Sequence, residues 1–424
     1  MKKLGIILIA LVALSSCDKT TNKYMCYEPV YTDSTTFRAP ATFESAKSIT
    51  KDGAIYFKDN YLFIVEPNKG IHFIDNNNPS NPINTGFLNV MGASGLSIKD
   101  NFLYVNAMVD LVTIDVSSFS NPVEVNRIQE CFPSALPLMD RNYPTKTIDK
   151  SKGIVTDWNV VETTEDVNDF PQWNGCPGCE FVTTFDSGVG GGISAESISN
   201  GSSTGTGTSG SYALMTIMGD YLYVVDNWRL RPFSLSNPAV PAESESYVYL
   251  SWNVETIFPN GEHLYMGTTT GMMIYETSNP ENPTKTGSIS HARACDPVTV
   301  QGNYAYVTVR SAGWCGGDIN QLDVVDITDK YNPYLVESFE MNDPRGVGID
   351  GDTFFLCDGD AGLKVFDAEN PDEVGDHLLK KFGNIFAVDI IPINGVAMVI
   401  GDDGLYQYDY SDPTDLQLLS EIKF

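Results

Sequence analysis

Basic residues are scarce in this chain: 26 Lys and Arg stand against 55 Asp and Glu, a formal net charge of -29. A phosphate-binding surface needs a basic footprint, so this balance excludes nucleic acid and anionic lipid headgroups as recognised partners. Histidine is scarcer still, with only four residues, His72, His263, His291 and His377. A catalytic zinc site draws converging ligands that usually include more than one His, so that chemistry is disfavoured and no metal ligand set is assigned. Beyond the N-terminus there is no long apolar stretch with a 3.6-residue rhythm, which leaves little room for helix. Nucleophile elbows, phosphate loops and paired Ser/His/Asp spacings are also missing, so an enzyme has no positive signal here.

What is abundant is a strand-and-turn vocabulary: 36 Gly, 23 Pro, 21 Tyr and 21 Phe in 424 residues. The first 17 residues are of a different kind. Lys2 and Lys3 precede a short apolar run, Leu4–Leu14, and Leu14-Ser15-Ser16-Cys17 ends it. That ending looks like a bacterial lipobox, which implies a signal peptide over residues 1–16 and a lipidated Cys17. The run is too short to span a bilayer. The mature chain is therefore expected in the cell envelope, lipid-anchored, with the outer membrane of a diderm bacterium as the favoured location. Residues 17–50 read as a polar tether and lead-in.

The stretch Lys58–Pro82, KDNYLFIVEPNKGIHFIDNNNPSNP, sets a pattern that the rest of the chain repeats. A turn leads into an aromatic strand, then a second strand ending in an acid, then a proline-closed turn. First strands begin at Tyr61, Phe102, Tyr221, His263, Tyr304, Thr353 and Val396. Apart from one long gap the spacing is about 42 residues, which suits a four-stranded propeller blade. The acid that closes six of the seven second strands, with Ser234 in the third copy, is placed to cap its own turn. Such units cannot bury their apolar faces alone and must close into a ring, which also removes exposed edges. The expectation is an all-β chain, a seven-bladed β-propeller of four-stranded blades. Blades 1 and 2 fall in 51–130, an irregular insertion between blades 2 and 3 in 131–210, and blades 3 to 7 in 211–424. The second strands LVTID, LDVVD and LKVFD resemble the LVIVD-repeat family. The resemblance runs from about Gly53 to Phe424 outside the insertion, and implies an exported bacterial propeller without catalytic residues to carry over. Copies three and seven fit least well, because Pro232 interrupts one strand and Gln407 replaces an apolar residue in the other.

The insertion leaves from the face that carries the turns between second and third strands, here called the top. A hairpin of Gly153–Val160 against Val161–Val167 is expected at its start, and the Gly/Ser/Thr-rich run Gly188–Gly210 is expected to be mobile. Between them, Cys176-Pro177-Gly178-Cys179 fits a local disulfide, a bridge to Cys131, a redox dithiol or half a zinc site. Cys295 and Cys315 lie in top-face turns of blade 5 and are expected to form a disulfide. Cys357 reads as a small buried side chain.

Polar residues also converge on the top rim, among them Asp110, Asp226, Trp228, Asp343, Asp402 and Asp403, and the candidate ligand-binding set is His291, Arg293, Asp296, Arg310, Arg345, Asp358 and Asp360. The arginines suit a carboxylate or sulfate, or pair with nearby Asp. Asp358-Gly359-Asp360 resembles a calcium loop in composition but lacks the full alternating pattern, so calcium is left open and no cofactor is assigned. With no catalytic constellation, the reading is a binding or scaffolding module for an envelope protein or glycan. The alternative is an extracytoplasmic hydrolase or lyase acting on a polymer at the centre of the top face.

Overall fold

The computed structural model describes residues 21–51, 53, 55–137, 139, 142–166, 206, 208–211, 213–226, 228–250, 254–290, 297–311 and 319–424. The signal segment and Cys17 lie outside these residues, as do Cys176, Cys179 and the expected pair Cys295 and Cys315. No described helix is long and apolar enough to cross a membrane.

Each of the seven expected first strands begins where the aromatic pattern places it: Tyr61–Glu66, Phe102–Ala107, Tyr221–Asp226, His263–Thr268, Tyr304–Arg310, Thr353–Cys357 and Val396–Gly401. An inner strand precedes each one and two further strands follow, all antiparallel, giving seven four-stranded blades in a ring. Two sequence features fix the blade geometry. The acid that ends the third strand accepts the backbone N–H two residues on, as Asp75 does from Asn77 at 3.0 Å and Asp326 from Thr328 at 2.7 Å. Those carboxylates turn the chain toward the outer strand. The glycine that opens the third strand is there because the outer strand crosses it closely: a Cβ on Gly70 would sit 2.1 Å from the Leu88 carbonyl oxygen. Its φ of +155° is also one that side chains resist.

The core of the ring is divided into seven apolar clusters, one at each blade–blade interface, and an eighth lies off the ring around Phe37. Aromatic and branched residues alternate along the strands, so both faces of each blade have a neighbour to pack against. The cluster that joins blade 7 to blade 1 sets Val388, Ile391, Met398, Ile400 and Leu405 against Ile55, Phe57, Leu62, Ile64 and Ile74. Each blade is built from one contiguous stretch of chain, so this seam closes without exchanging a strand.

At two other interfaces a buried tyrosine reaches across to a proline carbonyl in the next blade: Tyr104 to Pro238 at 2.9 Å and Tyr223 to Pro280 at 3.1 Å. Blade 7 has Met398 at that position, and the opposite residue in register is Gln407. Gln407 is fully buried and takes over the role. Its amide exchanges two hydrogen bonds with Asn76 (2.7 and 2.8 Å) and also approaches the Pro79 carbonyl at 3.4 Å. The irregular residue of copy seven is therefore the seam residue.

Three expectations outside the blades change. Residues 21–32 are not a free tether: Thr21–Thr32 is a strand. It pairs along its whole length with Ile154–Asp166, which is one strand rather than the expected hairpin. Pairing between segments over 100 residues apart in sequence wins because it satisfies two backbones at once and buries Cys26 and Tyr27. The lead-in also adds Thr42–Glu44 as an extra outer strand beside Ile83–Asn89 of blade 1. Finally, the end of the Gly/Ser/Thr-rich run is held in place: Thr208 and Ser209 pair with Phe57 and Tyr56 on the inner edge of blade 1.

Candidate functional site

The top face is shaped by three groups of residues, which the fold positions differently. The first is the rim of blades 5 and 6. His291, Arg293 and Asp296 lie outside the described residues. Arg310 and Arg345 are brought together, both buried, on either side of Asp343. Arg345 Nε donates to Asp343 Oδ2 at 2.8 Å and Arg310 Nη1 lies 3.6 Å from Oδ1. The Arg345 guanidinium also covers the Phe386 ring at 4.7 Å. Asp358 is wholly buried and accepts the backbone N–H groups of Asn342 and Asp343 at 3.0 and 2.8 Å and the Lys364 ammonium at 2.6 Å. That carboxylate closes the loop between blades 5 and 6, while Asp360 is exposed beside it. No group of three metal-ligating side chains occurs among the described residues.

The second group occupies the axis of the ring. Thr206 bridges Lys99 of blade 2, and Thr208 and Ser209 extend blade 1 inward. Ser211 donates its N–H (3.0 Å) and its hydroxyl (2.7 Å) to the Asp389 carboxylate of blade 7. The same hydroxyl accepts the Val347 N–H of blade 6 at 3.0 Å, and the Ala213 carbonyl accepts from Ile257 of blade 4. So short a stretch can reach blades 1, 2, 4, 6 and 7 only from the centre. A buried carboxylate is tolerable because these donors satisfy it. The central pocket that a hydrolase reading requires would share this axis with residues 206–213.

The third group is built on blade 2, and of it sequence reasoning placed only Asp110 on the rim. Phe37, from the short helix Ser34–Phe37, packs on Met108, Val109 and Ile154. Behind it the fully buried Asp110 carboxylate receives Arg38 through two bonds, Nε at 2.8 Å and Nη2 at 3.1 Å, together with the Glu130 N–H at 3.0 Å. Arg38 also pairs with Glu130, and the hydrogen bond to Asp110 is the main cause holding its pKa above the ordinary arginine value. Arg127 approaches the same carboxylate at 3.5 Å. This cluster pins the lead-in to the top of blade 2 and so fixes the Thr21–Thr32/Ile154–Asp166 ribbon above it.

Between ribbon and blade lies a cleft of about 620 Å³. Val109, Pro133, Ala135, Leu136, Ile154, Val155 and Trp158 give it apolar walls, and Glu130, Thr145, Thr147, Lys146 and Lys150 give it a polar margin. Its side chains are held: the Trp158 indole N–H donates to the Pro137 carbonyl at 2.9 Å, Lys146 to Glu28 at 2.7 Å and Lys150 to the Pro133 carbonyl at 3.0 Å. A cavity of this size, apolar with few convergent polar groups, has the character of a binding pocket. Nearby, Cys131 is a buried free thiol, and burial pushes its pKa far up. Cys357 is likewise a buried free thiol, as its strand position implies.

The LVIVD repeat matches this chain at residues 53–90, 92–129, 209–248 and 292–341. No curated protein matches it. Among solved structures, the periplasmic gluconolactonase PpgL of Pseudomonas aeruginosa is similar in fold, with a TM-score of 0.52 at 9% identity, covering 91% of this chain and 96% of that one. The computationally designed Ika8 protein gives 0.49 at 9% identity, covering 90% of both chains. PorZ of Porphyromonas gingivalis, described as an essential bacterial surface component of the type-IX secretion system, gives 0.45 at 10% identity. That match covers 89% of this chain and 39% of the other. At such identities the likeness is one of fold.

Proposed function

We propose that this β-propeller with LVIVD repeats is a non-enzymatic binding module of the cell envelope, carried on a lipid at Cys17 and using the blade-2 sector of its top face to hold a partner. The observation that carries the reading is the cleft of about 620 Å³ under the ribbon. Its apolar walls and held polar margin favour a segment of an envelope protein, since apolar side chains would bury area there at about 25 cal/mol per Å². Support also comes from what the arginines do. Arg310 and Arg345 share Asp343, and Asp358 is spent on backbone amides and Lys364, which is the bonding of a structural rim.

The test is co-purification from detergent-solubilised envelope with wild type and Thr147→Trp, which fills the cleft from an exposed position. A partner recovered stoichiometrically with wild type and lost with Thr147→Trp is the expected result. Equal recovery by both chains, or none by wild type, would overturn the reading. Cys17→Ser should abolish incorporation of labelled fatty acid and release the protein from the membrane fraction.

A further inference from the structure

We propose a second binding site, independent of the cleft: the Trp228–Tyr249 stack at the top of blade 3 is a platform for a neutral pyranose chain. Its origin lies in an irregularity of that blade. The outer strand is split into Ala242–Glu243 and Val248–Tyr249, both paired with the third strand Arg229–Ser234. In the other blades the outer strand is a single run among the described residues. The split sets Tyr247 and Tyr249 beside Trp228 at the top turn.

There the Trp228 and Tyr249 rings lie parallel, 5.0 Å apart at 14°. The Arg229 guanidinium lies 4.5 Å from the Trp228 ring and 5.1 Å from that of Tyr247. Tyr247 meets Tyr249 edge-on at 66°, and their hydroxyls are 2.9 Å apart. Four side chains therefore hold one another, yet Tyr249 remains 62% exposed. A stack that ordered only its own blade would gain by burying that outer ring. Instead a flat π-face is held open with phenol hydroxyls at its edge.

Charge selects the ligand class. An aromatic face attracts positively polarised C–H groups, which a pyranose ring presents on one side with hydroxyls around its rim. Nucleobases also stack, but they bring phosphates. Here Arg231 bonds Asp226 at 2.9 Å and Glu243 at 2.5 Å, and Arg229 lies 3.9 Å from Asp226. Two cations face two carboxylates, leaving no local surplus to draw an anion toward a chain of net charge -29. A neutral glycan meets no such repulsion.

The experiment is native affinity electrophoresis of the full chain in gels containing laminarin, mannan, dextran or polygalacturonate. Wild type should be retarded by at least one neutral polysaccharide. Tyr249→Ala should weaken that retardation about tenfold in Kd, while Tyr249→Phe keeps most of it. Thr147→Trp should migrate as wild type, which separates this site from the cleft. Absence of retardation by every neutral polysaccharide, retardation by polygalacturonate alone, or unchanged retardation of Tyr249→Ala would each overturn the proposal.

Discussion

The seam between blades 7 and 1 is open to a quantitative test using substitutions the chain already makes elsewhere. Asn76 follows the acid that ends its strand, and the same position holds Val116 in blade 2 and Ile327 in blade 5. Gln407 stands two residues before its acid, where blades 5 and 6 carry Val324 and Val365. Asn76→Val and Gln407→Val are therefore moves toward the repeat's own pattern. Each alone removes both bonds of the reciprocal amide pair: Gln407→Val leaves the Asn76 amide buried with a donor and an acceptor unmet, whereas Asn76→Val leaves only the Gln407 carbonyl oxygen unmet, because its N–H still reaches Ser420 Oγ at 3.2 Å. An unmet buried polar group costs about 1–3 kcal/mol, so Asn76→Val should lose about 1–3 kcal/mol and Gln407→Val roughly 3 kcal/mol. For a domain of this size that lowers Tm by roughly 3–4 °C. The double variant leaves no orphaned amide, and Ser420 still donates to Pro79 at 2.6 Å. It should fall by less than either single change, with a coupling energy of at least about 2 kcal/mol. Denaturant titration of the four proteins measures this. A double variant whose loss equals the sum of the singles would refute the pairing and, with it, Gln407 as the closure residue.

Other expectations follow from buried groups. Ser211→Ala removes a donor to Asp389 and the acceptor of the Val347 N–H, and should cost about 2–4 kcal/mol. Hydrogen exchange should quicken at Val347, and an unchanged rate there would show that the axial segment supports nothing. Burial is the main cause holding the His72 pKa below its ordinary 6.5, against the opposing pull of Glu66. The folded chain thus prefers the neutral ring, and this stability is present above about pH 6.5 and lost as pH falls below it, by at most about 1.4 kcal/mol per pH unit. His263 shifts the same way, so His72→Phe should remove only part of the loss between pH 6.5 and 5.5; an identical slope in the variant would contradict the assignment. Burial also raises the thiol pKa values of Cys131 and Cys357, so neither should be alkylated in the native state at pH 8, and both should react after unfolding, as mass-spectrometric mapping would reveal.

The blades were legible because their signals are local. An aromatic strand, a glycine forced by a crossing carbonyl and an acid that caps its own turn recur within one period, and each acts on residues close by. The cleft was not legible, because it depends on partners that periodicity does not connect. Thr21–Thr32 carries a proline and a glutamate among its aromatics and reads as irregular until Ile154–Asp166 lies beside it. The axial segment misled for a related reason. Composition describes how much apolar surface a stretch can bury, whereas Ser211 is held by a carboxylate that another blade supplies. Gln407 was visible as an exception, and the exception marked the seam. For Arg310 and Arg345 the sequence left open a bound anion or pairing with nearby Asp, and the choice depends on Asp343 standing between them, which strand spacing does not specify.

The axial segment also has a bearing on the order in which the chain folds. A chain emerges from its N-terminus during synthesis, and its blades, each a contiguous stretch, form in turn as their residues arrive. Residues 206–213 enter the sequence before blade 3, yet Ser211 is bonded to Asp389, 178 residues later. Until blade 7 is made, this segment has its blade-1 partners but not its carboxylate, so it is bound on one side and waiting on the other. Contacts of such long range are slow to form and come late. The middle of the chain thus registers the arrival of its end: the bond between Ser211 and Asp389 forms in the same event that completes the ring's circumference.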